Sequence, residues 1–156
     1  LIVNEGSVYK LDNFKSLDLS KLYKDNPEIE KAKNLAFRYI EMMILNYTQY
    51  LKINISPVIN NAWWTTTANI RVMRYQEGEQ ILDHLDVNKR NRAACTINLN
   101  EGYEGGEFQF FNDKTLIKEQ QGTVIIFPSY MQHRVRPIKS GIRYSLVVWF
   151  LGEPFH

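Results

Sequence analysis

The sequence predicts a mostly β domain with some α: a double-stranded β-helix (jelly-roll or cupin-like) core backed by N-terminal helices. Two patterns carry that prediction. Apolar residues recur every three or four positions over 27–51, and after Pro57 the chain breaks into short runs rich in Val, Ile, Thr and aromatics, separated by Gly, Asn, Asp and Pro. Length is the third observation. A chain of 156 residues is one domain with room for a real core, so 1–156 is expected to be a single unit with its β-core over about 68–151.

The helix has a legible start. Asn26 is a good N-cap, Pro27 is tolerated at the first helical position, and Glu28 and Glu30 favour the positive end of the helix. Ile29, Ala32, Ala36, Tyr39, Ile40, Met43, Tyr47 and Leu51 then supply one apolar stripe. Residues 1–24 mix short apolar and polar stretches and predict no definite element. The strands are expected at 68–75, 80–85, 93–99, 107–111, 123–127, 131–136 and 142–151. Gly78, Gly105-Gly106, Gly122, Pro137 and Gly141 punctuate them.

Composition excludes several classes. An apolar fraction of 44% and a charged fraction of 23% are those of an ordinary globular protein. No apolar run approaches the ~20 residues of a membrane-spanning helix. A formal charge of +2 is too small to argue for nucleic acid. The single cysteine, Cys95, cannot form an intrachain disulfide, suits a reducing compartment and lies in an apolar run, as a buried inert thiol does. No signal-peptide pattern is seen at the start, although position 1 is Leu. The expectation is a soluble cytoplasmic protein with no membrane partner.

Only three histidines exist, at 84, 133 and 156. On a strand, His84 and Asp86 share a face, so a His-x-Asp pair at a strand end offers an imidazole and a carboxylate to one point. Surface placement explains most such triplets. His133 follows the run Phe127-Pro128-Ser129-Tyr130-Met131-Gln132, where a loop delivers it onto the next strand; alone it reads equally as a packed core histidine. A hairpin turning at 137–141 would set Val135 opposite Arg143 and His133 opposite Ser145, so that all face one cavity. An Arg pointing into an apolar strand's interior needs an anion, and a metal-bound dicarboxylate would supply one. Two histidines and a carboxylate form the ligand set of non-haem Fe(II) oxygenases. Zinc could use it too, although a structural zinc site normally closes with a fourth ligand, and none is in evidence.

These residues resemble the iron(II)- and 2-oxoglutarate-dependent oxygenases, in their prolyl-hydroxylase-like branch. Arg74-Tyr75-Gln76-Glu77-Gly78, His84-Leu85-Asp86, Gly105-Gly106-Glu107-Phe108, Phe127-Pro128 leading to His133, and Arg143 to Phe150 match that family's segments in order. The resemblance implies a double-stranded β-helix with His84, Asp86 and His133 as catalytic iron ligands. It further implies Arg143 on the distal carboxylate of 2-oxoglutarate, O2 as oxidant and ascorbate as an accessory reductant. Tyr75 matches a Tyr that contacts the co-substrate in relatives. Ser145 could add a hydroxyl to the same carboxylate. Asn98 stands near a position where close prolyl hydroxylases carry a Tyr; it is named with the co-substrate contacts, and the departure leaves that contact open.

The implied reaction couples oxidation of 2-oxoglutarate to succinate with hydroxylation of an unactivated C–H bond. A peptidyl proline is the first substrate expected, and a free amino acid or other small molecule the alternative. A non-catalytic jelly-roll binding domain is the third reading. The Lys89, Arg90 and Arg92 loop reads as solvated, although it could receive an acidic peptide or nucleic acid. Nucleic-acid demethylases of the superfamily usually carry a second Arg six residues after the co-substrate Arg. Trp149 stands there, so a nucleic-acid partner is not expected. Trp63 and Trp64 are either an aromatic shelf for a peptide or buried core.

Overall fold

The computed structural model describes residues 2–4, 7–9, 11–12, 15–19, 26–50, 70–88, 91–111 and 115–151. Trp63, Trp64, Lys89, Arg90 and His156 lie outside the described residues, so the readings placed on them have no structural counterpart here.

Four short strands, β1 (Ile2–Asn4), β2 (Ser7–Tyr9), β3 (Leu11–Asp12) and β4 (Lys15–Asp18), precede one helix, α1 (Pro27–Tyr50). Then follow β5 (Arg71–Tyr75), β6 (Gln80–His84), β7 (Asn91–Asn98), β8 (Glu104–Gly105) and β9 (Phe108–Phe110). The chain continues through β10 (Thr115–Ile117), β11 (Val124–Pro128), β12 (His133–Val135), β13 (Ile138–Ser140) and β14 (Arg143–Leu151). Two five-stranded antiparallel sheets dominate, in the orders β11-β7-β14-β5-β4 and β10-β9-β12-β6-β3. They are the two halves of the predicted double-stranded β-helix. Among the described residues a single helix backs it, where the sequence suggested helices.

Alternation along β7 and β14 builds two layers from one sheet. Ala93, Cys95, Leu146, Val148 and Phe150 point to one face and pack with Ile40 and Ile44 of α1. Ala94 points to the other face and joins Phe108, Phe110, Phe127 and Val135 between the sheets. Cys95 is thus buried under the helix, and burial pushes its thiol up to about 12, which keeps it protonated and inert. None of the described helices is long and apolar enough to cross a membrane.

The helix begins where its capping residues predict. Asn26 Oδ1 accepts hydrogen bonds from the backbone N–H groups of Glu28 (3.1 Å) and Ile29 (3.3 Å), satisfying two donors that the first turn leaves open. Asn26→Ala should therefore lower stability by about 1 kcal/mol, read as a denaturant midpoint shift at constant slope. Most of the expected stripe meets the core, with Ile29, Ala36, Met43 and Tyr47 packed against the same cluster as Ile40. Ile40 and Ile44 are buried and Phe37 is packed against the core, whereas Tyr39 and Ala32 face solvent. Tyr39, which the sequence placed in the stripe together with Ile40, lies about 100° around the helix from it and so turns outward.

The expected 137–141 hairpin does not form. β12 lies between β9 and β6 in one sheet, and β14 lies between β7 and β5 in the other. Both edges of each strand are already taken, so His133 pairs with His84 and Phe110 rather than Ser145. Ser145 pairs instead with Asn98 and Met73. The intervening β13 pairs with β8 as the chain crosses from one sheet to the other. His133 and Arg143 still share a cavity, but they reach it from facing sheets.

Gly105 and Gly106 make that crossover possible. Both have positive φ (77° and 68°). A Cβ on Gly105 would fall on the Pro137 carbonyl oxygen, while one on Gly106 would lie 2.5 Å from Ile138 Cδ1 and 3.1 Å from Arg143 Cδ. Left-handed backbone and close approach together demand glycine. Gly105→Ala is expected to cost more than the ~1 kcal/mol of backbone strain alone, because the clash is with backbone that cannot rotate away. Thermal denaturation checks this; an unchanged Tm would mean that the crossover can shift freely.

Candidate metal centre

β6 ends at His84, and Asp86 follows in irregular backbone, so strand alternation alone does not aim its carboxylate. Hydrogen bonds do. The Asp86 N–H donates to Ser129 O (3.0 Å), and Asn91 Nδ2 donates to Asp86 O (2.8 Å). Ser129 is itself fixed, its hydroxyl donating to Asn91 O (2.9 Å) and its N–H to Arg92 O (3.1 Å). The turn after Pro128 thus clamps the Asp86 loop from the neighbouring strand.

His84, Asp86 and His133 each offer one ligand atom, and these atoms all lie within 4.8 Å of one another. His84 Nε2 stands 3.6 Å from Asp86 Oδ1, and His133 Nε2 stands 3.5 Å from Asp86 Oδ2. The other ring nitrogens fix the ring orientations. His84 Nδ1 meets Leu82 O at 2.8 Å and His133 Nδ1 meets Met131 O at 2.9 Å. A carbonyl oxygen only accepts, so each Nδ1 carries a proton and each Nε2 is the atom turned toward Asp86. Orientation of a metal-binding imidazole through its second nitrogen is the usual arrangement. Burial, reinforced by the neighbouring His84, pushes the His133 pKa down to about 3, which keeps the imidazole in its neutral, metal-binding form. Phe108 stacks on the His133 ring at 5.3 Å and Phe127 meets it edge-on at 4.6 Å, so its position is set by packing. The donor set fits a divalent iron with coordination positions left open.

A cavity of about 260 Å³ adjoins the triad, with Met73, Ile81, Phe108, Phe127, Val147 and Trp149 among its apolar walls. It is small, below the ~300–1,000 Å³ usual for small-molecule sites, and suits a short dicarboxylate. Arg143, Tyr75 and Ser145 line it as well. Sheet register separates these three from the metal end. Ser145 pairs with Asn98 and Arg143 with Tyr75, whereas the Asp86 clamp reaches Arg92, six residues back along the chain from Asn98.

Arg143 is fully buried. Its guanidinium carbon lies 5.4 Å from the Tyr75 ring centre, its NH1 donates to Ser145 Oγ at 3.3 Å, and its Nε has no hydrogen-bond partner. Burial raises the Tyr75 pKa, so the phenol stays protonated and can donate. A cation, a hydroxyl, a phenol and an orphaned N–H at one end of a cavity fit an incoming carboxylate. Six of the seven residues singled out in the sequence therefore meet around one cavity. Asn98 stands apart. Its Nδ2 donates to Asn100 O (2.8 Å), its Oδ1 accepts from Tyr103 Oη (2.9 Å), and it does not line the cavity.

The sequence reading missed Glu119. Its Oε2 accepts from Arg143 NH2 at 2.7 Å, with both side chains 1% exposed. Burial raises the Glu119 pKa and Arg143 opposes the rise. Within Lys118-Glu119-Gln120-Gln121-Gly122 it looks like one more polar residue of a solvated turn, and only the fold reveals its partner.

A double-stranded β-helix with two histidines and a carboxylate at one end of its cavity, and a buried cation at the other, is the frame of a non-haem iron oxygenase. The family model of the 2OG-Fe(II) oxygenase superfamily matches residues 70–151, just over half of the chain, and the chain belongs to that superfamily. Membership implies Fe(II), 2-oxoglutarate and O2. Similar curated proteins are PKHD-type hydroxylases. One from Idiomarina loihiensis is 29% identical over 90 residues, covering 53% of this chain and 41% of the relative. Another from Synechococcus sp. is 27% identical, covering 95% of this chain and 68% of the relative. The chain spans 41% and 31% of the first two curated relatives it matches.

Solved structures share the fold. A Pseudomonas putida prolyl-4-hydroxylase aligns with a TM-score of 0.63 at 19% identity, over 88% of this chain and 67% of that one. A Trichoplax adhaerens prolyl hydroxylase, in complex with a hypoxia inducible factor peptide fragment, aligns with a TM-score of 0.67 at 18% identity, over 93% and 66%.

Proposed function

We propose that the chain is a single catalytic domain of an Fe(II)- and 2-oxoglutarate-dependent hydroxylase acting on a peptidyl proline. The observation that carries the reading is the convergence of the His84, Asp86 and His133 ligand atoms at one end of a cavity whose other end holds the buried Arg143. Peptidyl proline is favoured because the chain resembles PKHD-type hydroxylases in sequence and prolyl hydroxylases in fold.

In this reading His84, Asp86 and His133 hold the iron, and Arg143, with Ser145 and Tyr75, holds the distal carboxylate of 2-oxoglutarate. Bound iron supplies the activation of O2 that oxidises both the keto acid and a substrate C–H bond. The chain's own share is positional. Leu82 O and Met131 O keep both Nε2 atoms aimed at the metal position, and the apolar walls keep water out. The single buried thiol, Cys95, favours a cytoplasmic setting.

Incubation with Fe(II), 2-oxoglutarate and ascorbate, followed by mass spectrometry of proline-containing peptides, tests the reading. A gain of one oxygen on proline, matched by succinate, supports it. The same gain confined to a free amino acid moves the substrate to the small-molecule class. Neither succinate nor oxygenated product, with metal bound, would leave a binding domain.

A further inference from the structure

Arg143 enters the site with its charge already answered. Glu119 reaches its NH2 from the 118–123 segment that joins β10 to β11. Glu119 does not line the metal-bearing cavity; it lines a neighbouring groove of about 730 Å³ formed by residues 101–107, Lys118, Gln120, Thr123 and Lys139. The carboxylate therefore meets the guanidinium from the groove, while Nε has no partner and NH1 donates to Ser145. Glu119 Oε1 also has no partner.

We propose that Glu119 is a built-in rival for the Arg143 guanidinium, and that this rivalry weakens the chain's hold on the distal carboxylate of 2-oxoglutarate. The inference rests on the assignment of Arg143 to that carboxylate. With one guanidinium buried between them, two carboxylates repel in a setting that screens them poorly. Other groups offer no relief. Among the described residues, Tyr75 and Tyr103 are the remaining titratable groups that interact with Arg143, and neither brings a positive charge. Lys118 and Lys139 are exposed at the groove, where Glu101, Glu104 and Glu107 also stand. Either Glu119 yields its place or the site carries a surplus negative charge. Both routes reduce the affinity that Arg143 alone would give.

Glu119→Gln keeps the shape and a carbonyl oxygen for Arg143 NH2 while removing the charge. Calorimetric titration of the Fe(II)-loaded chain without oxygen reads the effect. The variant is expected to bind 2-oxoglutarate roughly tenfold more tightly or better. The analogue whose distal carboxylate is replaced by an amide should bind the variant and the parent alike, since it brings no charge to be repelled. Unchanged or weaker binding of 2-oxoglutarate overturns the proposal, as does an equal gain for the amide. If the Gln variant does not fold, Glu119→Asp retracts the charge by one methylene and should give a smaller gain in the same direction; a loss there overturns the proposal too. Failure of the metal-loaded parent to bind 2-oxoglutarate at all removes the Arg143 assignment itself, an outcome distinct from a parent that binds and a variant that gains nothing.

Discussion

His84→Ala is expected to strip the chain of Fe(II) and to abolish 2-oxoglutarate-dependent succinate formation while the fold survives. His84 suits the experiment better than His133. His133 is wedged among Phe108, Phe110 and Phe127, so truncating it also opens a hole in the packing between the sheets. Loss of an outer partner of a metal ligand typically costs about 10–100-fold in affinity or activity. Loss of one ligand from a set of three should exceed that, because no other His, Cys, Asp or Glu among the described residues joins the cluster. Metal content after dialysis and product formation check the two consequences separately. A folded His84→Ala protein that keeps its iron would remove His84 from the ligand set.

The candidate ligand cluster was legible because histidine is scarce here and because the chemistry asks for few residue types. His84 and Asp86 are two residues apart in sequence, and His133 follows a recognisable strand end. How Asp86 is held was not legible: its clamp comes from Ser129 and Asn91, polar residues that carry no signal until the turn after β11 folds against the Asp86 loop. The hairpin failed for a related reason. A turn sequence at 137–141 marks a reversal of direction, but it does not say whether the returning strand stays in its own sheet. Pairing of Ile138–Ser140 with Glu104–Gly105 is a long-range choice, and the same two glycines that the family motif supplies make room for it. Glu119 was the deepest omission, since a lone Glu in a polar loop looks solvated until the Arg143 guanidinium is found behind it.

Arg143→Ala is expected to raise the 2-oxoglutarate requirement by roughly 30-fold or more, since truncating one partner of a buried, hydrogen-bonded charge pair costs about 2–5 kcal/mol. The buried partner gives the substitution a second signature. With Arg143 gone, Glu119 keeps its burial and loses the charge that favoured its ionised form, so its pKa rises further above the unfolded value. A carboxyl with a raised folded pKa makes the folded state the better proton binder. The penalty is therefore absent at pH values below the unfolded pKa and grows as pH climbs toward the folded one. Near neutrality the variant should lose up to about 3–5 kcal/mol, the range for an orphaned buried charge, and it should recover stability on mild acidification. Arg143→Ala combined with Glu119→Gln separates the two roles of the arginine. Removing the stranded carboxyl should restore most of the stability and flatten its pH dependence, yet it should not restore affinity for 2-oxoglutarate, because the cation proposed to receive the distal carboxylate is still missing. Recovery of both would mean that Arg143 serves only to neutralise Glu119. Recovery of neither would mean that its stem, packed against Gly106, matters more than its charge.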